Sequence, residues 1–441
     1  MMARFLKWLY PGMRVKRWMA LLIIGILLIS GGLWLVVGIE ILAGLESLVT
    51  RRLLSFTGRF PVYASVTLGG TLIALGIFLV ATGFRQTVHT LLCELAPEDA
   101  EDVASIMFER RHLRRGPHVV VIGGGTGLAT LLRGMKEHTS NITAIVAMAD
   151  DGGSSGRLRE DFGTLPPGDI RNTLVALADT EPLMEALFQY RFSAGHGLEG
   201  HSFGNLFITA MHQIAGDFEH AVRQSSKVLA IRGRVLPSTL QSVILRAVYQ
   251  DGTEARGESH IPQDKKRIER VYLEPPDALP VNAALEAIDA ADAILLGPGS
   301  LYTSVIPNLL VQSVADRIRA SAALKVYICN VMTQPGETDG FDASEHLRAI
   351  LEHGGPGLIH YCLLNSAAIP QHVAKRYENR GAHAVATDTA KIRELGITPV
   401  MRPLIDESDL ARHHPQKLAE AIMELVRCGK RPQPLSHLFH K

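Results

Sequence analysis

The chain has 441 residues, a formal net charge of +1 and a mean hydropathy of +0.14. Balanced charge leaves no basic surplus for a nucleic-acid partner, and the apolar excess is concentrated at the N-terminus, which argues against a wholly soluble enzyme. Four cysteines, Cys93, Cys329, Cys362 and Cys428, lack the paired spacing of a zinc site or a disulfide framework. The three in the C-terminal part read as small buried hydrophobes.

Residues 18–39 and 62–83 are uncharged and long enough to cross a bilayer. The first has no cleavage site after it, so a signal peptide is the weaker reading. Arg4, Lys7, Arg14, Lys16 and Arg17 precede the first span. Arg51, Arg52 and Arg59 stand against Glu40 and Glu46 in the loop between the spans. The bias favours an N-terminus inside, and two spans return the chain inside. Residues 1–84 are therefore an expected membrane anchor and 85–116 a linker. Within the linker, Pro97 to Asp102 looks like an acidic helix start, and Arg110, Arg111, Arg114 and Arg115 form a solvated basic cluster.

Residues 117–441 read as an α/β domain. The run His118-Val-Val-Val-Ile122 predicts a buried parallel strand. It stops at Gly123-Gly-Gly-Thr-Gly127, and Leu128, Leu131, Leu132 and Met135 follow at helical spacing. Thr143 to Ala149 predicts a second strand opening into a loop, Asp150-Asp-Gly-Gly-Ser-Ser-Gly-Arg157, with Pro166 to Asn172 shortly after. A helix-rich block contains Glu181 to Phe192, the segment Gly195 to Asn205, a helix through Ile214, and a helix from Phe218 to Ile231 capped by Asp217. Gln241 to Tyr249 alternates and meets Asp251-Gly252, a hairpin signal. With Arg267 to Leu273 it predicts a small antiparallel insertion over residues 235–275, whose Lys265, Lys266, Arg267 and Arg270 form a solvated edge.

The alternation resumes with a helix from Asn282 to Ala291, a strand from Ala293 to Leu296 and a second glycine turn, Gly297-Pro-Gly-Ser-Leu-Tyr-Thr-Ser304. Strands at Lys325 to Val331, Leu358 to Leu364 and, outermost, Pro399 to Ile405 alternate with helices at Ala343 to Glu352, Pro370 to Asn379 and Pro415 to Arg427. The expected fold is α/β: a Rossmann-like, mostly parallel sheet flanked by helices, with a small antiparallel insertion and two N-terminal transmembrane helices.

Polar clusters follow the ends of the predicted strands, and in an open α/β sheet these converge on one crevice. Gly123, Gly124, Gly125, Thr126 and Gly127 leave backbone N–H groups at a helix N-terminus, where phosphate is attracted. The spacing fits neither a dinucleotide fingerprint nor a Walker A loop. Gly297, Pro298, Gly299 and Ser300 repeat the arrangement and add the hydroxyls of Ser300, Thr303 and Ser304. A simple N-cap by Ser300 is the alternative. Asn330 and Asn365 end the next two strands.

Asp150 and Asp151 offer ligands for Mg²⁺ shared with substrate phosphates, acceptors for sugar or ring hydroxyls, or a turn cap. Ser154 and Ser155 lie in the same loop. Arg157 and Arg171 suit bidentate contact with phosphate oxygens. Asp169 and Asn172 either contact the ligand or hold the loop. Arg159 is expected in an exposed pair with Glu160 or Asp161. His201, Ser202 and Asn205 look like base-reading groups at a helix start. Ser202 lacks a Gly-x-Ser-x-Gly elbow, and His196 and His201 lack metal-ligand spacing.

These residues resemble the 2-phospho-lactate transferase family of deazaflavin coenzyme synthesis, and more closely its bacterial, YvcK-like gluconeogenesis-factor branch. The matching stretches are VVVIGGGTGLATLLRGMK, AMADDGGSSGRLREDFGTLPPGDIRN, HSFGNLFITAM, ILLGPGSLYTSVIPNLLV and NVMTQPGETDGF, between Val119 and Phe341. The resemblance implies a nucleotide at the strand ends. Its transferase branch implies Mg²⁺-dependent transfer of phospholactate from a guanine-nucleotide donor. Its bacterial branch implies UDP-sugar binding and a role in cell shape, envelope synthesis and gluconeogenic growth. By position, 123–127 and 297–304 would contact nucleotide, and Asp150 and Asp151 would hold the acceptor, metal or catalytic position.

The two spans are extra to the usual member of that family and favour an envelope-linked role. The expectation is a two-pass protein of the cytoplasmic membrane with its large domain in the cytoplasm. A nucleotide-sugar would be its ligand, Mg²⁺ the candidate metal, no organic cofactor would be tightly bound, and a homo-oligomer is the candidate assembly.

Overall fold

The two apolar stretches form long helices, α1 (Lys16–Val37) and α2 (Pro61–Leu95), and α2 runs past the expected end of its span. The structure is a computed structural model that describes residues 16–37, 61–95, 111–179, 182–405 and 410–429. The basic tail before residue 16, the loop between the spans and the acidic helix start at Pro97 to Asp102 lie outside the described residues.

The helices pair along glycines seven residues apart, Gly25 and Gly32 on α1 and Gly69 and Gly76 on α2. A Cβ on Gly32 would come within 2.7 Å of Gly69 O, and one on Gly76 within 2.7 Å of Gly25 O. The backbones therefore touch, as small residues allow in membrane helix pairs. Ile23, Leu27, Ile77 and Phe78 face outward and are exposed. Arg17–Val36 and Val66–Val88 are long and apolar enough to cross a membrane. These helices belong to one compact unit, residues 1–109, and residues 110–441 form another.

In the second unit the first strand, β1 (Val119–Gly123), is fully buried because its residues are apolar and packed on both faces. It runs through Gly124 into α3 (Gly125–Met135), and β2 (Ile142–Val146) follows. Four consecutive helices, α4 (Gly153–Phe162), α5 (Gly168–Leu177), α6 (Pro182–Gln189) and α7 (Phe203–Ala215), precede α8 (Phe218–Val228), whose N-cap is Asp217 as expected. Next come β3 (Arg234–Pro237), the antiparallel set β4 (Ile244–Tyr249), β5 (Glu254–Arg256) and β6 (Ile268–Glu274), then α9 (Asn282–Asp289) and β7 (Ala293–Leu296). A wide π-helical turn, Leu301–Val305, leads into α10 (Ile306–Leu309) and α11 (Val314–Ala320). The chain closes with β8 (Leu324–Ile328), α12 (Ala343–Gly354), β9 (Tyr361–Asn365), α13 (Gln371–Glu378), α14 (Thr389–Glu394), β10 (Thr398–Arg402) and α15 (Pro415–Gly429).

The main sheet has seven strands in the order β10-β9-β8-β7-β1-β2-β3. Every pair in it is parallel, with Val119 opposite Ile142 on one side and Ala293 on the other. The chain builds outward from β1 through β2 to β3, then returns to β7 on the other side of β1 and builds the opposite way. The gap between the carboxyl ends of β1 and β7 is therefore the topological switch point, where open α/β sheets bind ligands.

Four expectations change. Arg234–Pro237 pairs with β2 in the main sheet, so the insertion holds only β4, β5 and β6. The segment Asp150 to Arg157 is a loop only as far as Gly152, because Gly153 starts a helix. Helices α11 and α14 have no counterpart in the sequence reading. Cys329 and Cys362 are buried, but Cys428 is exposed on the last turn of α15.

Candidate functional site

At the switch point two glycine turns face each other. In the first, Gly124 is extended and Gly125 has φ +66°, a left-handed conformation that glycine adopts without strain. A Cβ on Gly127 would lie 2.5 Å from Pro298 O, so only glycine lets the two turns approach this closely. The second turn is clamped by Asn330, whose Oδ1 accepts from Gly299 N at 3.2 Å and whose Nδ2 donates to Gly299 O at 2.7 Å. Ser300 holds the N-cap position without a side-chain cap bond; its hydroxyl donates to Gln334 Oε1 at 2.7 Å instead.

The turn N–H groups are only partly free. Asp169 of α5 accepts from the Gly125 N–H, and a Cβ on Gly124 would run into its carboxylate. Glu337 accepts from Tyr302 N at 3.3 Å, from Thr303 Oγ1 at 3.1 Å and from Gln334 Nε2 at 2.5 Å. Burial, with the Asp150 charge adding to it, raises Asp169 to about 6. Burial raises Glu337 to about 7 against the hydrogen bonds that favour its charge. Two protein carboxylates thus take positions at helix N-termini that the sequence left to a ligand.

Beside the two turns lies a cavity of about 410 Å³. Gly124, Gly125, Thr126, Gly127, Pro298, Gly299, Ser300 and Asn330 line one side. The C-terminal part of the chain adds Tyr377, Arg380, Arg412 and His413 to the lining. Both arginines are exposed, and neither guanidinium has a hydrogen-bond or ion-pair partner among the described residues. His413 is pushed down to about 4 by burial and is neutral; its Nε2 has no hydrogen-bond partner.

The other predicted residues gather beside this cavity rather than in its wall. Asp150 Oδ1 accepts from Gly152 N at 2.9 Å and Asp151 Oδ1 from Ser259 N at 2.8 Å. Burial raises the Asp150 carboxyl, opposed by its bonds to Gly152 and Ser155. Ser155 Oγ also accepts from Gly168 N at 3.1 Å. Arg159 does not pair with Glu160 or Asp161; it donates to Ser242 Oγ at 2.8 Å and Val243 O at 2.6 Å, bracing α4 against the segment leading into β4. Glu258 of the insertion is raised to about 8 by burial first and then by Asp150, Glu337, Asp169 and Asp151.

Further out, Arg157 is exposed and donates to Glu199 O at 2.9 Å. Arg171 donates to Ser202 Oγ at 2.5 Å and to Asn172 Oδ1 at 2.8 Å. His201 Nδ1 and Ser154 Oγ are 3.0 Å apart, and Asn205 Nδ2 donates to Ser154 Oγ at 3.1 Å. All three are buried, and this junction fastens α4 to α7.

Sequence reasoning missed Tyr377, Arg380, Arg412 and His413, which carry no local motif and reach the cavity only through the topology. It also missed Glu258, Gln334 and Glu337. The Thr333 to Gly340 run of turn and polar residues was the signal available for the last two.

The fold and the site define a doubly wound α/β protein with a glycine-walled, arginine-faced crevice at its switch point. The model of the 2-phospho-L-lactate transferase CofD family matches residues 119–405. The chain belongs to that family. A Bacillus subtilis relative named gluconeogenesis factor is 47% identical over 312 residues, covering 70% of this chain and 98% of its own. A Nostoc sp. relative, also named for gluconeogenesis, is 47% identical over 426 residues, 96% of this chain and 92% of its own, so that alignment includes the N-terminal helices. A crystal structure of a Bacillus halodurans protein superposes with a TM-score of 0.69 at 50% identity, covering 70% of this chain and 100% of that one.

Proposed function

We propose that this protein is a membrane-tethered nucleotide-sugar receptor. It holds a UDP-sugar between the two glycine turns and couples that ligand to envelope synthesis, cell shape and growth on gluconeogenic carbon. The carrying observation is the cavity at the switch point, with close-packed glycine backbone and the unpartnered Arg380 and Arg412 guanidiniums in one lining. Unpaired guanidiniums sharing a cavity with backbone N–H groups suit a diphosphate, which takes bidentate contacts from arginine. The gluconeogenesis names of the relatives support the physiological part. The two apolar helices and the basic N-terminal tail support two membrane spans with residues 110–441 in the cytoplasm.

A second reading, Mg²⁺-dependent transfer of the phospholactate type, draws on the half-buried carboxylates Asp150 and Asp169. Asp150 and Asp151 each have one oxygen engaged by a backbone N–H. Among the described residues no three acidic, histidine or cysteine side chains are close enough to enclose a metal. The residues fit only a cation that takes its other ligands from water and ligand phosphates. Ligand binding is therefore the primary reading.

Titration calorimetry on the full chain in detergent micelles tests it, with UDP-N-acetylglucosamine, UDP-glucose, GDP and GTP, each with and without Mg²⁺. Metal-independent UDP-sugar binding without product supports the receptor. Metal-dependent guanine-nucleotide binding overturns it in favour of the transferase.

A further inference from the structure

A second cavity of about 420 Å³ opens at the carboxyl ends of β8 and β9. It shares Asn330, Val331 and Met332 with the cavity beside the glycine turns, so those three residues form a partition with open space on both sides. A ligand lying across the edge of that partition would reach both.

The two spaces differ in chemistry. The first has two arginines and an aromatic ring, Tyr377, in its wall. Among the described residues, the second has no aromatic, lysine or arginine side chain in its lining. Among the described residues its walls combine Met332, Ile369 and five alanines with the polar Asn330, Asn365 and Thr387, and its one charged side chain is Glu378. Glu378 is exposed at the end of α13 and has no partner among the described residues. A lone carboxylate repels phosphate and accepts hydrogen bonds from hydroxyls. A base can stack on Tyr377 or on a guanidinium in the first cavity, and the second cavity gives it no such surface. What fits the second space is a neutral ring with one apolar face and several hydroxyl groups.

We propose that the second cavity is the glycosyl subsite of this protein: it takes the sugar ring of a nucleotide-sugar whose phosphates lie between the glycine turns, with Glu378 accepting from ring hydroxyls. The proposal rests on the nucleotide-sugar reading above. It assigns the base and phosphates to one space and the specificity for the sugar to the other. Small alanine side chains set the room, and the shared Asn330, which already clamps the second turn, fixes the distance between the two parts.

The test compares the affinity of the full chain in micelles for UDP, UDP-glucose and UDP-N-acetylglucosamine. Ala368→Trp fills the second cavity from an exposed loop position, and Glu378→Gln removes the charged acceptor from an exposed helix end. Both positions are exposed, and thermal melting checks that each variant folds. The expected result is that the sugar-nucleotides bind the natural protein more tightly than UDP. Ala368→Trp should abolish that gain and Glu378→Gln should reduce it about tenfold, with UDP affinity within twofold of the natural protein in both. Equal affinity for UDP and the sugar-nucleotides in the natural protein overturns the subsite. So does a sugar-dependent gain that survives both substitutions, or a loss that falls equally on UDP. Failure of the natural protein to bind any of the three overturns the nucleotide-sugar reading itself and the subsite with it.

Discussion

The paired N-terminal helices and the switch-point crevice both depend on glycine, for opposite ends. Along α1 and α2, Gly25, Gly32, Gly69 and Gly76 vanish into contact, and the space of each missing side chain is filled by backbone and side-chain atoms of the partner helix. At the crevice, Gly127 lets two turns close on each other, yet the turns border an open cavity of about 410 Å³. Glycine in one place makes a seam, and in the other it leaves backbone bordering open space. The sequence shows both as glycine-rich, and only the surroundings tell them apart. The seam has apolar neighbours throughout, whereas the crevice is faced by arginine.

The largest effect expected from this contrast is on the arginine face. Replacing Arg380 and Arg412 together by Ala should weaken UDP-sugar binding by at least about a hundredfold, since each charged hydrogen bond contributes about 1.5–3 kcal/mol. A loss under threefold by calorimetry breaks the assignment of phosphate to this cavity. Thermal unfolding of the helical hairpin should not change.

The reverse pattern is expected at the seam. Gly32→Leu or Gly69→Leu forces a side chain into a backbone contact and should destabilise the hairpin by about 1–3 kcal/mol. Tryptophan fluorescence through unfolding in micelles reads this, and nucleotide affinity should stay within twofold. Coupled losses of both properties would show that the two regions are not separable.

A separate effect concerns the carboxylates around the turns. Asp169, Glu337 and Glu258 are raised to about 6, 7 and 8 from ordinary values of 3.8, 4.5 and 4.5. The folded state therefore holds protons that the unfolded state releases. Their stabilising contribution is complete below about pH 4 and is lost as pH rises through 6 to 8. The melting temperature of the α/β unit should fall by about 5 °C between pH 5 and 8. Glu337→Gln should flatten part of that slope; an unchanged slope would show that Glu337 is charged throughout.

The smallest expected effect is at Asp150. Asp150→Asn should leave UDP-sugar affinity within about threefold, because the carboxylate lies beside the cavity and not in its wall. A hundredfold loss, worth about 2.7 kcal/mol, would move the ligand toward the carboxylates and revive the transferase reading.

What the sequence disclosed follows from distance along the chain. The apolar run at Val119 meets glycine directly, so β1, the turn and α3 were legible from adjacent residues. The second turn at Gly297 was legible for the same reason. β3 was not, because four residues at Arg234 carry too little pattern to separate them from the neighbouring hairpin. The C-terminal part of the cavity lining was invisible because Arg380 and Arg412 lie in an exposed helix end and a loop, and only the return of β8, β9 and β10 carries them across. His201, Ser154 and Asn205 looked like ligand groups because polar residues at a helix start serve ligands and junctions alike. The structure bonds them to one another.

The most direct test of the central claim is a crystal structure of the protein with UDP-N-acetylglucosamine. The account predicts the diphosphate between Gly124–Gly127 and Gly299–Ser300, with Arg380 and Arg412 closing on its oxygens. A nucleotide bound instead against Asp150, Asp151 and Glu258, with the arginine-faced cavity empty, would contradict it.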